Sequence, residues 1–178
     1  MRAVTSPTQT LREEHRVILR AIVLLEVAAA RLSAGQTLPD GWWEELLEWL
    51  RSFADRNHHA KEESYLFPAL AQAGVPADGG PVGVMLEEHT EGRALVRAMA
   101  EGQVDRRVEA ARRYVQLLRD HIDKENGVLL PLTDAVLDSQ GQLLVARGFE
   151  KVEAEQGLTA SIEHAEAVVD RLAAALGD

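Results

Sequence analysis

The 178-residue sequence contains no cysteine. This absence excludes disulfide bonds, thiolate metal sites and catalysis by a cysteine nucleophile. Any metal ion in this protein would therefore have to be bound by histidine, aspartate or glutamate side chains. Because disulfide-free chains occur in reducing and oxidising compartments alike, the absence leaves the redox compartment open.

Long apolar runs and an excess of basic residues are also missing. No stretch of 18 apolar residues occurs, and the chain does not open with a basic segment followed by an apolar one, so we expect a cytoplasmic protein without a membrane segment. Lys and Arg number 19 against 29 Asp and Glu, which gives a formal net charge of -10. This charge disfavours nucleic acid and anionic membrane surfaces as partners.

Aromatic residues are scarce at 4%, whereas Leu, Ala, Val, Glu and Arg are frequent, a composition that favours helices. With 46% hydrophobic residues the chain can form a proper core. We therefore predict a single all-α domain over residues 1–178.

Helical periodicity divides most of the chain into four long segments with short connections. The predicted helices run from about Leu11 to Leu32, Trp42 to Tyr65, Pro81 to Met99 and Arg106 to Leu130. Thr10 with Glu13 forms a capping-box pattern before the first helix, and Asp40 is the predicted N-cap of the second. We expect Pro68 and Pro131 to bend or end the helices that contain them.

Four helices with short connections predict an antiparallel four-helix bundle over about residues 11–138. A further helical stretch, about residues 141–176, has a predicted break near Gly157. Its apolar residues indicate that this C-terminal extension packs on the bundle.

Residues 56–70, RNHHAKEESYLFPAL, set two histidines side by side, each with a glutamate four residues later. Residues four apart share one face of a helix. His58 therefore pairs with Glu62, and His59 pairs with Glu63. An α-helix can direct only one of these pairs into its core.

A hidden repeat selects the first pair. HHAKEESYLFPAL from His58 and HIDKENGVLLPL from His121 both place Lys at +3, Glu at +4, Leu at +8 and Pro at +10. The match fails if counting starts at His59, whose α-helical neighbours one to three turns earlier are polar. We therefore predict that His58 with Glu62, and His121 with Glu125, face inward. His59 is predicted to face water or to lie in a second layer around the site.

Two further histidines follow Glu-Glu pairs, His15 in LREEHRV and His89 in MLEEHTE. A single histidine on an apolar face is commonly a hydrogen-bonded core residue. Two glutamates on the same buried faces argue otherwise, because unpaired buried carboxylates cost several kcal/mol. The set predicts a metal site with two metal ions bridged by carboxylates. Its predicted ligands are His15, His58, Glu62, His89, His121 and Glu125.

The fragments HHAKEESYLFPAL and LEEHTEGRALV resemble signatures of the hemerythrin-like, or HHE cation-binding, family over about residues 11–132. The resemblance implies a four-helix bundle around a non-haem diiron centre. In that centre two iron ions share two carboxylates and an oxo or hydroxo bridge. Nitrogen and oxygen donors also accept manganese or zinc, which are the less favoured alternatives.

Two positions depart from the oxygen-carrying members of the family. Arg93 stands four residues after His89, where those members have a further histidine, and Asn126 stands five residues after His121, where they have aspartate. The remaining four histidines and two glutamates are similar to the subgroup His, His-x-x-x-Glu, His, His-x-x-x-Glu. That subgroup includes an iron- and oxygen-sensing domain of a eukaryotic F-box protein and bacterial proteins linked to peroxide breakdown.

The symmetric, open donor set leads us to expect binding and catalase-like breakdown of peroxide. The alternatives are a non-catalytic iron or oxygen sensor or iron store, and reversible binding of O2 or NO. The predicted second layer around the ligands consists of His59, Arg93, Tyr65 and Tyr114. For Arg93 the competing interpretation is a side chain extended to solvent, and for the tyrosines it is core packing. Three acids that precede ligand histidines could orient an imidazole or remain solvated: Glu14, Glu88 and Asp120.

Overall fold

The computed structural model describes residues 5–177, which form helices and no strand. The α-helices are α1 (Pro7–Ser33), α2 (Trp42–Trp49), α3 (Phe67–Gln72), α4 (Gly80–Glu101), α5 (Val104–Lys124), α6 (Leu130–Val136), α7 (Ser139–Gln156) and α8 (Ile162–Leu176). The π-helical segments Leu50–His59 and Glu62–Leu66 join α2 to α3, and the π-helical segment Glu125–Leu129 joins α5 to α6. The predicted all-α fold is confirmed.

Four long helices form the bundle: α1, the α2–α3 helix, α4 and the α5–α6 helix. Helix α5 packs along both α1 and α4. Helices α7 and α8 cover the side formed by α1 and the α2–α3 helix. Two tryptophans fasten α8 there, because the indole Nε1 of Trp42 donates to the Leu172 carbonyl at 2.8 Å and that of Trp49 donates to the Ala165 carbonyl at 3.2 Å. A 3-10 turn, Gly157–Ala160, separates α7 from α8.

The helices do not end at Pro68 and Pro131 but continue to Gln72 and Val136. Each proline directly follows a π-helical segment. At the end of the first segment the Phe67 amide donates to the carbonyl five residues earlier, so the turn before Pro68 is wider than an α-helical turn. This wider turn reduces the contact between a proline ring and the preceding turn that would otherwise kink the helix.

The predicted helix starts are also corrected. Helix α1 begins at Pro7 with Ser6 as its N-cap, whose Oγ accepts from the Gln9 amide at 3.2 Å, so Thr10 lies within the helix. Proline is well suited to the first helical position, where its missing N–H costs nothing. Helix α2 follows Gly41, which has a φ of 74° and takes the N-cap position predicted for Asp40.

The core has two apolar clusters, separated along the bundle by a layer of polar residues. One cluster surrounds Ile18, Leu50 and Leu118, and the other surrounds Leu11 and Leu66. On each of the four bundle helices, a histidine of this polar layer lies in sequence between residues of the two clusters. A polar layer inside an apolar core is costly unless every polar atom has a partner. Within the described part of the chain, no helix is both long and apolar enough to cross a membrane.

Candidate metal centre

The six predicted ligand side chains lie together in the polar layer, and each residue is at most 2% exposed. Every helix of the bundle contributes. The contributing residues are His15 from α1, His58 and Glu62 from the α2–α3 helix, His89 from α4, and His121 and Glu125 from the α5–α6 helix.

The histidines form two pairs. In pair 1 the Nε2 atoms of His15 and His58 are 3.1 Å apart, and in pair 2 those of His89 and His121 are 3.2 Å apart. Each pair thus brings two imidazole nitrogens close together from two helices of the bundle.

The two glutamates lie between the pairs, and each directs one oxygen to each pair. Oε1 of Glu62 is 3.5 Å from the His58 Nε2 of pair 1, and its Oε2 is 3.3 Å from the His89 Nε2 of pair 2. Oε2 of Glu125 is 2.9 Å from the α1 histidine of pair 1, and its Oε1 is 3.2 Å from the α5 histidine of pair 2. This is the arrangement of two carboxylates that bridge two cations.

The partnerless atoms in this layer indicate what it can hold. All four carboxylate oxygens of Glu62 and Glu125 are buried, and apart from the histidine Nε2 atoms at 2.9 to 3.5 Å they have no hydrogen-bond partner among the residues that the structure describes. Buried oxygens without partners are costly, and a cation satisfies them. Two groups of four side chains could each hold one metal ion. Within each group the ligand atoms all lie within 4.8 Å of one another, and Glu62 belongs to both groups. The nitrogen and oxygen donors therefore fit a pair of divalent or trivalent metal ions.

The outer ring nitrogens of the four histidines are also fixed. Each Nδ1 lies 2.8 to 2.9 Å from a side-chain oxygen on a different helix of the bundle. The pairs are His15 with Asn126, His58 with Glu14, His89 with Glu63, and His121 with Glu88. With Nδ1–H donating, each Nε2 presents its lone pair to the centre, which is the tautomer that a metal ion requires.

The lysines of the repeat hold two of these acids in place. Lys61 donates to Glu14, and Lys124 donates to Glu88. The Lys at +3 in each repeat copy therefore supports the acid that holds the histidine of the same copy. This role of the lysines was not predicted from the sequence, although the repeated lysine was the signal that could have revealed it.

The acid beside His58 is charged, and His58 is suited to bind a metal ion as a neutral ligand. Burial opposes charge on Glu14, but the bond from His58 and the charge of Lys61 lower the pKa of that carboxyl to about 2. Burial lowers the pKa of His58 to about 4. Burial and the neighbouring Glu125 carboxylate raise the pKa of Glu62 well above its usual range. Glu62 thus lies where its charge is disfavoured until a cation is present.

His59 differs most from the sequence prediction. Of its two predicted positions, the one facing water is excluded, because His59 is 5% exposed and its ring stacks on His89 with centroids 3.8 Å apart and planes at 20°. The segment Leu50–His59 is π-helical, and its wider turn changes which residues share a face. Consecutive residues His58 and His59 both reach the interior as a result.

Arg93 does not simply extend into water. Its guanidinium binds Asp55 and Glu63, each at 2.8 Å, and so holds the acids that contact His59 and His89. The departure from the oxygen-carrying members at this position thus replaces a histidine with the support of two acids.

Asn126 stands at the second departure. Its Oδ1 lies 2.9 Å from Nδ1 of His15 and accepts a hydrogen bond from the guanidinium of Arg12 at 3.3 Å. The two positions at which this chain departs from the oxygen carriers therefore both serve to orient histidines.

The two tyrosines are placed differently. Tyr65 packs against Gly148 of α7, on the side of the C-terminal extension. Tyr114 is buried and lines a cavity of about 190 Å³ together with His59, Gly92 and Arg93. Burial raises the pKa of Tyr114 above its usual range. Asp120 is exposed, accepts from Gln116 and takes no part in the cluster.

A four-helix bundle with paired histidines and two central carboxylates in its core defines a class of helical cation-binding proteins. The chain belongs to the hemerythrin HHE cation binding domain family, whose sequence model matches residues 6–133. The family resemblance inferred from the sequence fragments is therefore confirmed.

Two relatives are "Uncharacterized protein Rv1995" of Mycobacterium tuberculosis and "Uncharacterized protein Mb2018" of Mycobacterium bovis. Each is 27% identical over 180 aligned residues, which cover 96% of this chain and 68% of the relative. No solved structure matches this chain.

Proposed function

We propose that the six clustered side chains bind two iron ions and that the protein uses this centre to break down hydrogen peroxide. The observation that carries the proposal is the pair of buried carboxylates, whose four oxygens point to two histidine pairs and have no other hydrogen-bond partner within residues 5–177. Donors of nitrogen and carboxylate oxygen in a helical bundle favour iron over zinc, with manganese as the nearest substitute.

The chain's own residues would fix the centre before any small molecule arrives. The acceptors on Nδ1 set the ring orientation of all four histidines, and Lys61 and Arg93 fix two of those acceptors, Glu14 and Glu63. Apolar clusters above and below the polar layer keep bulk water away. Such a preorganised and dry centre strengthens the electrostatic effect of each charged group on a bound molecule.

Peroxide breakdown needs two electrons to be exchanged at one place. One peroxide is reduced to two waters with two electrons and two protons, and a second peroxide is oxidised to O2 and returns them. Two adjacent iron ions, when bound, supply the storage of two electrons between these halves. Glu62 and Glu125 would hold the two cations at a fixed separation through both halves, because each carboxylate contacts both histidine pairs.

The test is oxygen evolution from hydrogen peroxide by iron-loaded protein. We expect the wild type to evolve oxygen well above the level of the same amount of free iron, and His89→Ala to lose this activity. His164→Ala is the matched control, because His164 lies on α8 outside the cluster and that variant should behave as the wild type. Turnover at the level of free iron in all three samples would contradict peroxide breakdown.

The same observation favours a second candidate, a non-catalytic sensor or iron store. Without cations, four partnerless oxygens remain inside the bundle and should loosen it. In this case iron chelation would cause a large loss of helicity by circular dichroism while peroxide turnover stays negligible. Retained helicity on chelation together with turnover would instead favour the enzyme.

A further inference from the structure

We propose that His59 is a fifth histidine ligand, which binds the metal ion at pair 2 through its Nε2 atom. This inference rests on the proposed metal pair. It makes the centre asymmetric, with three histidines at pair 2 and two at pair 1.

The position of His59 carries the first part of the argument. Its ring stacks on His89 and lies 5.7 Å from the ring of His121, centroid to centroid, so it borders both members of pair 2. Ligand atoms of His59, Glu62 and the two pair 2 histidines all lie within 4.8 Å of one another. Four nitrogen and oxygen donors at this separation can surround one metal ion.

The hydrogen bonds of His59 carry the second part. Its Nδ1 lies 3.3 Å from Oδ1 of Asp55, and Asp55 is held by Arg93. Each of the four other clustered histidines likewise has Nδ1 held by a side-chain oxygen, and Nε2 is left for the centre. The Nε2 of His59 is buried and has no hydrogen-bond partner among the residues described here. A ring stacked only for packing would not need this arrangement, and an orphaned buried nitrogen is costly.

Arg93 gains a clear role in this arrangement. It supports Asp55 and hence His59. The third histidine at pair 2 would thus come from the π-helical segment Leu50–His59.

The experiment uses the full chain loaded with Co²⁺, a metal ion that reports its coordination without redox chemistry. In the wild type we expect two bound ions. In His59→Ala the affinity for one ion should fall by more than about tenfold in competition with a chelator, since losing even an outer partner of a metal ligand costs that much. X-ray absorption should show one imidazole fewer per metal pair.

Addition of free imidazole is the decisive part of the experiment. The cavity of about 190 Å³ already touches His59, and deleting the ring enlarges it, so added imidazole should restore the lost ion and its visible spectrum in His59→Ala. In His59→Phe the stacking on His89 is kept and the space stays filled. This variant should fold as the wild type, bind one ion weakly and resist rescue.

The outcomes separate the two proposals. A wild type that binds no pair of ions would overturn the proposed metal centre. A wild type with two ions, beside folded His59→Ala or His59→Phe that keeps both ions and the wild-type imidazole count, would overturn the role of His59 alone. Weakened binding that imidazole leaves unchanged, with an unaltered imidazole count, would also overturn it.

Discussion

At Glu62 the requirements of metal binding conflict with the stability of the metal-free protein. Its carboxylate is 0% exposed, lies beside Glu125 and has a pKa raised by burial and that neighbour. Glu62→Gln removes the buried charge but keeps the shape. In metal-free protein we expect the free energy of unfolding to rise by about 1–3 kcal/mol. The same variant should lose metal binding, which calorimetric titration would measure.

Glu63→Gln is the matched control on the next residue. Burial opposes charge there too, but the bonds from His89 and Arg93 lower the pKa of Glu63, so the folded protein stabilises that charge. Glu63→Gln should therefore destabilise the metal-free protein. If urea unfolding shows both variants less stable than the wild type, the proposed repulsion at Glu62 is wrong.

At the scale of single residues, the sequence predicted which side chains lie together in the cluster better than it predicted their hydrogen-bond partners. The repeat and the apolar faces picked out His58 and Glu62, which do lie in the cluster. The burial of His59 could not be predicted, because α-helical spacing was assumed where the backbone is π-helical. The acceptors also escaped prediction, because Glu14 and Glu88 bind histidines on other helices rather than the histidines that follow them in sequence.

Two helix-interior glycines test packing at the scale of the elements. A Cβ at Gly148 of α7 would lie 2.2 Å from the ring of Tyr65, whereas a Cβ at Gly92 of α4 would meet Tyr114 at an ordinary 3.6 Å. Gly148→Ala should cost about 1–3 kcal/mol of unfolding free energy, because Tyr65 must move and α7 loses its close contact. Gly92→Ala should gain about 0.5–1 kcal/mol from helix propensity.

Chemical denaturation of both variants checks this prediction. Equal effects of the two substitutions would show that Tyr65 yields easily and that α7 does not depend on this contact.

The existence of the helices followed from their periodicity, and the break at Gly157, with φ 62°, followed from its glycine. The continuity through Pro68 and Pro131 did not, because it depends on π-helical turns that begin at the two glutamates of the cluster.

At the scale of the whole molecule the C-terminal extension breaks the twofold likeness of the two repeat copies. Lys61 is 0% exposed, because α7 covers it and adds a second carboxylate, Glu153, at 2.7 Å. Its repeat equivalent Lys124 has a side chain that is 42% exposed. We infer that the bundle and the extension form a single domain, since the buried charge of Lys61 is paired with Glu14 of the bundle and with Glu153 of the extension.

The two lysines give a matched pair of variants. Lys61→Met should cost about 3–5 kcal/mol of unfolding free energy, because it leaves the buried carboxylate of Glu14 without its cation. Lys124→Met should cost at most about 1 kcal/mol, as is usual for an exposed ion pair. Thermal unfolding monitored by circular dichroism would measure both. Similar losses for the two variants would show that the cover by α7 has no energetic consequence.

The sequence by itself determined the helical fold and the helix faces that carry the four histidines and two glutamates, because periodicity and spacing on a helix are local properties. Its fragments also resemble the family to which the chain belongs. The tertiary structure decided which oxygen holds each imidazole, that His59 faces inward and that Lys61 is sealed by α7. These depend on contacts between residues far apart in the chain and on local widening of the helix, and no local pattern encodes either.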